Sequence, residues 1–317
     1  MARRLSVCVL VAFFPALAFA SPLVVHEWGT FTSIAGPDGH AVEWRPFDAP
    51  PDLPAFVHTL AVPRPGVQRM PLEKRDLRGT VRMETPVVYL YAERALEASV
   101  HVEFPSGRIT EWYPAARTPG AGIEWSVRIL PGSAVALPVD AKSSRYYRAR
   151  EVDAPVLETG GERERFLFYR GVGSFEPPVA ATISGASVDV DASADLGETI
   201  LFERKGDRSG YRIIDATKGT STVRRPELAG DEAEALLGNL QAMLVRHGLH
   251  EKEARAMIET WRDTWLEDGL RLIYVLPDAF VDEVLPMTIV PRPRERVRVL
   301  VGRMELGRPL GSLSLRR

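Results

Sequence analysis

Residues 87–91 of this chain read Val87-Val88-Tyr89-Leu90-Tyr91, and this stretch predicts a β-strand. β-Branched and aromatic side chains suit the pleated, half-buried surface of a sheet. Residues 165–169 (RFLFY) and 199–203 (TILFE) have the same character. Across residues 21–225, turn residues interrupt such runs every 8–12 positions. That spacing is typical of an antiparallel β-sandwich or barrel.

The pattern changes over residues 226–269, where apolar residues recur at helical spacing. Gly248 divides the segment as a helix-ending glycine, and Gly269 closes it. The segment therefore predicts an αα-hairpin, with Trp261 and Trp265 on the buried stripe of its second helix. We expect a mainly β fold, an antiparallel β-sandwich-like body with an αα-hairpin in the C-terminal third, which makes the protein α+β overall.

Residues 270–276 and 297–301 return to strand composition after the hairpin. The chain is therefore divided into an N-terminal segment (residues 1–20), a β-rich domain (residues 21–225) and a C-terminal part with the αα-hairpin and the last strands (residues 226–317). Two arrangements of the last part are open. Its strands either rejoin the earlier sheet, so that the helices are an insertion, or form a separate lobe with the helices.

Residues 1–20 have the pattern of a secretory signal peptide. Arg3 and Arg4 precede an uncharged apolar run, and Ala18-Phe19-Ala20 is a small-x-small cleavage signal. We expect cleavage after Ala20 and a periplasmic or secreted protein. The one cysteine of the chain, Cys8, lies in this segment. The mature chain is then cysteine-free, which excludes thiol nucleophiles, Fe–S clusters and cysteine-ligated zinc.

The composition narrows the function classes. The chain has 317 residues, of which 45% are hydrophobic and 26% are charged, as in folded soluble proteins. The net charge of −2 provides no basic field for nucleic acid, so no nucleic-acid partner is expected. No stretch beyond the signal peptide is apolar for long enough to span a membrane.

A hairpin predicted over residues 99–113 would gather acid and base groups. Pro105-Ser106-Gly107 suits a three-residue hairpin loop. That register places His101 opposite Glu111 on a polar face of the sheet, where the two could bind a divalent ion. The alternative is a solvated sheet face, and a one-residue slip in register would undo the grouping.

Other candidate residues come from separate segments. His26 lies in residues 25–33 (VHEWGTFTS), and Arg170 precedes Gly171 at a strand end. Either could be structural, as a packed first strand or a strand-end turn. The residues that we select as candidates for catalysis are His26, His101, Glu111 and Arg170. The candidate metal ligands are His26, Glu84, His101 and Glu111, and a divalent metal ion is the cofactor that this set would hold.

Several stretches resemble a family of secreted bacterial proteins of uncharacterised function. These proteins carry a His-Glu-Trp-Gly-Thr-Phe-Thr segment just after the signal peptide, which corresponds to residues 26–32 here. The matching stretches are residues 25–39, 83–92, 102–114, 166–173 and 260–277. The resemblance implies an exported bacterial protein and brings no catalytic residue with it.

Two functions remain open from the sequence. The first is a ligand-binding or structural protein of the cell envelope, whose partner is a small molecule, a glycan or an envelope protein. The absence of zinc-protease, nucleophile-elbow and phosphate-loop motifs favours it. The alternative is an extracytoplasmic metal-assisted hydrolase with a His/carboxylate site. Convergence of five residues in one pocket would favour the hydrolase: His26, Glu84, His101, Glu111 and Arg170.

Overall fold

A computed structural model of the protein describes residues 22–46, 52–62, 70–71, 77–118, 121–141 and 144–307. The predicted signal peptide lies outside these residues. Strands are the predominant secondary structure of the described part of the chain. One sheet, called the large sheet here, has nine strands. Their spatial order is β15 (Arg208–Ala216), β14 (Gly197–Lys205), β17 (Gly269–Val275), β19 (Glu295–Leu306), β1 (Val24–Ile34), β5 (Val81–Tyr91), β11 (Leu167–Gly173), β7 (Gly107–Tyr113) and β2 (His58–Thr59).

Three smaller sheets accompany it. The second sheet has the order β10 (Glu162–Glu164), β9 (Val156–Thr159), β8 (Ile123–Leu130), β6 (Leu96–Val102) and β18 (Met287–Val290). The third sheet comprises β12 (Val179–Ser184), β13 (Ser187–Ala192) and β16 (Gly219–Arg224), and the fourth β3 (Ala61–Val62) and β4 (Met70–Pro71). Strand pairs are antiparallel except that β1 runs parallel to β19. The mainly β, α+β expectation is confirmed.

Two helices, α1 (Ala233–Arg246) and α2 (Glu251–Trp265), form an αα-hairpin, as the periodicity predicts. The described residues also contain the short α3 (Asp278–Val284) and a 3-10 helix (Arg145–Arg150). Gly248 joins α1 to α2 with φ +105°, a left-handed conformation that favours glycine. Within the described residues, no helix combines the length and the apolar character needed to cross a membrane.

Two hydrophobic cores lie on opposite faces of the large sheet. Alternation along each strand sends neighbouring side chains to opposite faces. Val25 and Val88 face the second sheet and share a core with Val100 and Trp125. Trp28 faces the other way and shares a core with residues of α1 and α2. The large sheet is thus the middle of three layers.

The C-terminal strands lie inside the large sheet. β17 and β19 occupy the positions between β14 and β1. Val299 and Val301 on β19 belong to the same core as the helices. The αα-hairpin therefore packs on strands from both ends of the chain.

The predicted hairpin over residues 99–113 is wrong. The turn itself forms, since the Gly107 amide donates to the Phe104 carbonyl at 3.0 Å. However, β6 pairs with β8 and β18 in the second sheet, whereas β7 pairs with β11 and β2 in the large sheet. The turn carries the chain from one layer to the next, because each strand buries its apolar face between the layers.

An ion pair connects the third sheet to the large sheet. Arg225, which follows β16, donates from Nε to Glu203 Oε2 at 2.9 Å, and Lys205 Nζ lies 3.1 Å from Glu203 Oε1. Burial raises the pKa of the Glu203 carboxyl, but the hydrogen bonds from Arg225 and Lys205 lower it by more, so that it lies below its ordinary value of 4.5. The carboxylate form is therefore favoured by folding.

Glu203→Gln is expected to destabilise the protein at pH 7 and to a smaller extent at pH 3.5. A carboxyl with a depressed folded-state pKa stabilises the protein above its unfolded pKa, and the stabilisation is lost as the pH falls through the folded value. Urea unfolding at both pH values measures the difference. Glu97→Gln, an exposed glutamate of β6, is the control and should lose little at either pH. An equal loss by Glu203→Gln at both pH values would contradict the ion-pair explanation.

Candidate functional site

Four polar side chains meet where the start of α2 packs on the large sheet. His26 of β1 and Tyr91 of β5 lie on neighbouring strands and share the face that the helices cover. His250 immediately precedes α2, and Glu253 is in its first turn. We call these four residues the His–Glu cluster. Docking of α2 on the sheet brings together residues that are 227 positions apart.

Glu253 is the centre of the cluster. His26 Nδ1 lies 2.8 Å from Glu253 Oε2, and the His250 backbone amide donates to the same oxygen at 2.7 Å. The Tyr91 hydroxyl donates to Oε1 at 2.6 Å. Burial and the negative charge of Glu253 raise the pKa of the Tyr91 hydroxyl well above its ordinary range, so that it remains a donor. The carboxylate is held in one orientation from both sides.

The two histidines differ in their access to solvent. His26 is 2% exposed and Glu253 is fully buried, whereas the His250 side chain is 58% exposed. The two imidazole ring centroids are 4.4 Å apart. Nε2 of His26 is buried and has no hydrogen-bond partner among the described residues. One potential ligand atom from each of His26, His250 and Glu253 lies within 4.8 Å of the others.

A pocket of about 530 Å³ adjoins the cluster, with Tyr91 in its wall. Its lining combines both charge signs with apolar surface. The charged members are Glu93, Asp153, Arg165 and Arg294, and the apolar ones include Pro22, Val24, Pro131 and Pro155. Tyr91 thus contacts the pocket and the buried carboxylate of Glu253 at the same time.

A second group of charged side chains lies farther along the same face of the large sheet. We call it the charged row. Its members, all at most 9% exposed, are Arg82, Glu84, Glu111, Arg170, Arg271, Arg303 and Glu305. They come from five strands, and strand irregularities opposite Gly29 and beside Gly171 set which side chains face each other. Gly29 is needed there because a Cβ would lie 2.9 Å from the Pro86 backbone.

The positive charges of the charged row are compensated by carboxylates of the same protein. Arg170 pairs with Asp52 at 2.7 Å and lies 3.5 Å from Glu111. Arg271 and Arg303 both pair with Glu305, at 2.9 and 2.6 Å. Burial lowers the pKa of Arg170, but the charges of Glu111, Asp52 and Glu84 raise it by more. The arginines therefore stay charged and are neutralised by the protein's own carboxylates, which is the chemistry of a structural network.

The structure divides the candidate residues that the sequence predicts. His26 belongs to the His–Glu cluster, while Glu84, Glu111 and Arg170 meet in the charged row. His101 joins neither, because β6 lies in the second sheet. It is partly exposed and 3.4 Å from Glu103. The grouping of His101 with Glu111 is therefore wrong, for the same reason as the hairpin that carried it.

Sequence analysis missed three members of the His–Glu cluster: Tyr91, His250 and Glu253. Tyr91 has the pattern of an ordinary strand residue, and His250 that of a residue at a helix junction. The one local signal is Glu253 at the third position of α2, where a glutamate commonly reaches back to the residue before the helix. That signal predicts where a helix begins. It does not predict that Glu253 contacts His26.

Comparison with known proteins yields no relative of this chain. No family model matches it, and neither the curated proteins nor the solved structures contain a match. What the protein does must therefore be inferred from the geometry described above.

Proposed function

We propose that this is an exported ligand-binding protein of the bacterial cell envelope, which holds a small molecule in the pocket beside Tyr91. The observation that carries the proposal is the pocket itself. Its volume of about 530 Å³ falls within the range of roughly 300–1,000 Å³ that is usual for small-ligand sites. Export is supported by the signal-peptide pattern of residues 1–20.

The lining favours an uncharged ligand with several hydroxyl groups, such as a short glycan. Glu93 and Asp153 provide acceptors for hydroxyl protons, and Arg165 and Arg294 provide donors. Because both signs are present, neither an anion nor a cation would be bound without repulsion. The proline and valine side chains of the lining can cover the apolar face of a sugar ring.

The hydrolase that the sequence left open is not proposed. That hypothesis requires His26, His101 and Glu111 to converge, whereas His101 lies in the second sheet and Glu111 in the charged row. The polar residues that do converge near the pocket belong to the His–Glu cluster. Ligand binding needs only the pocket and its lining.

A glycan and small-molecule screen by thermal shift, followed by calorimetry, tests the proposal. We expect binders whose affinity falls about 10-fold or more in Arg294→Ala and in Glu93→Gln, because a hydrogen bond to a charged group contributes about 1.5–3 kcal/mol. Arg224→Ala and Glu97→Gln, exposed positions outside the pocket lining, are the matched controls and should bind normally. A screen without binders, or binders indifferent to both pocket variants, would overturn the proposal.

A further inference from the structure

We infer that His26, His250 and Glu253 form a binding site for a divalent first-row transition metal ion, with Zn²⁺ as the expected occupant. This inference goes beyond ligand binding in the pocket and does not depend on it. Either can fail without the other, because the metal site and the pocket share only Tyr91, which is not one of the three ligands.

The positions of the donor atoms are the first support. His26 Nδ1 and His250 Nδ1 lie 2.8 and 3.8 Å from the same carboxylate oxygen, Glu253 Oε2. Zinc bonds to nitrogen and oxygen are about 2.0–2.2 Å long, so donor atoms around the ion are about 3–3.5 Å apart. The three ligand atoms lie within 4.8 Å of one another, so shifts of about 1 Å, mainly in the exposed His250 side chain, would bring them around one ion.

The type of the donors is the second support. Two imidazoles and one carboxylate are the ligand set of many zinc sites that keep an open position, and also suit other first-row divalent ions. A hard ion such as Mg²⁺ or Ca²⁺ prefers a site made of oxygen atoms. The donor set therefore favours Zn²⁺ over the alkaline-earth ions.

Outer contacts hold the carboxylate as they do in metal sites. The Tyr91 hydroxyl donates to Glu253 Oε1, and the His250 backbone amide donates to Oε2. Such partners orient a ligand before the ion arrives, and losing one typically weakens metal binding about 10–100-fold. His26 is fixed on β1 in the interior of the large sheet. Two of the three ligands are thus preorganised.

The third ligand provides access. His26 and Glu253 are buried, so an ion must reach them from the side of His250, which solvent contacts. The exposed imidazole can turn aside and close over the ion without unfolding α2. The imidazole at position 250 also accepts from the Glu253 backbone amide as the cap of α2, and it lies edge-on to Tyr91. The Zn²⁺ affinity of a folded His250→Ala variant therefore distinguishes a metal ligand from a helix cap.

The test uses the full chain without a polyhistidine tag. After treatment with a chelator, the protein is titrated with Zn²⁺ by calorimetry, and with Co²⁺ by its visible absorption. We expect one ion per chain. His250→Ala should bind Zn²⁺ at least about 100-fold more weakly, since losing a direct ligand costs no less than losing an outer partner. Tyr91→Phe should bind about 10-fold more weakly.

His247→Ala is the matched control, because His247 is also exposed at the α1–α2 junction and is not a member of the cluster. Its Zn²⁺ affinity should equal that of the unmodified protein. Circular dichroism confirms folding of each variant, and a folded His250→Ala is expected because the replaced side chain is exposed. Absence of Zn²⁺ binding in the unmodified protein, equal binding by His250→Ala, or an equal loss in His247→Ala would overturn the inference.

Discussion

Glu27→Gln is expected to lower the free energy of unfolding by about 3–5 kcal/mol, the usual cost of breaking a buried ion pair by removing one partner. Glu27 lies on the face of β1 opposite His26 and is fully buried. Arg298 Nε donates to Glu27 Oε2 at 2.6 Å, and the Tyr169 hydroxyl donates to Oε1. The substitution leaves shape almost unchanged and removes the charge.

The loss is large because Arg298 cannot respond by becoming neutral. Burial lowers the pKa of the Arg298 guanidinium, and in the unmodified protein the charge of Glu27 and its hydrogen bond raise it by more. The variant loses that increase, but the ordinary pKa of arginine is high enough to keep the guanidinium charged at pH 7. In the variant, a buried cation would face an uncharged amide. Asp282, 2.8 Å from Arg298 Nη1, would still compensate part of the charge. The expected loss therefore lies towards the lower end of the range.

Urea unfolding at pH 7 measures this loss. Glu97→Gln, which changes the same functional group at an exposed position of β6, should change the unfolding free energy by less than about 0.5 kcal/mol. The double variant Glu27→Leu with Arg298→Met should lose less than Glu27→Gln, because no unpaired buried charge remains. If Glu27→Gln were as stable as the unmodified protein, the buried Glu27–Arg298 ion pair would not stabilise the fold.

Trp265→Ala is the second substitution with a large expected effect, again a loss of about 3–5 kcal/mol. Trp265 is the last residue of α2 and is fully buried. It belongs to the core between the helices and the large sheet, together with Phe202 and Ile273. Removing the indole leaves a cavity at the point where α2 ends against the sheet.

A graded series separates the volume of Trp265 from its polarity. The indole N–H has no hydrogen-bond partner in the described part of the chain. Trp265→Phe thus removes volume without breaking a hydrogen bond and should lose about 1–2 kcal/mol. Val245→Ala, on the exposed side of α1, is the control and should change stability by less than about 0.5 kcal/mol. A loss under about 1 kcal/mol for Trp265→Ala would mean that α2 is not anchored there.

Local patterns were sufficient to predict the strands and the αα-hairpin. Residues 87–91 and 199–203 form strands because their side chains suit a buried sheet wherever their partners lie. Gly248 follows the end of α1, as predicted, because the left-handed conformation at that position is a local property of the chain. Trp261 and Trp265 are buried, as their spacing on one helix face predicts. Each of these features depends on neighbours within a few positions.

Strand partners could not be predicted in the same way. The Pro105-Ser106-Gly107 turn has the composition of a hairpin loop, yet β6 and β7 lie in different sheets. A turn determines only the direction in which the chain leaves it. Which strand lies alongside depends on the burial of two apolar faces between layers, and that is a property of the whole fold.

The sequence by itself determined which chemistry is available: no cysteine beyond residues 1–20, and a few histidines with abundant carboxylates. Only the tertiary structure decided which of these groups meet. It placed His26 against Glu253, 227 positions away, and His101 in another layer. The physical reason is that α2 must bury its apolar face on the large sheet. The same packing that buries Trp265 places His250 and Glu253 against β1.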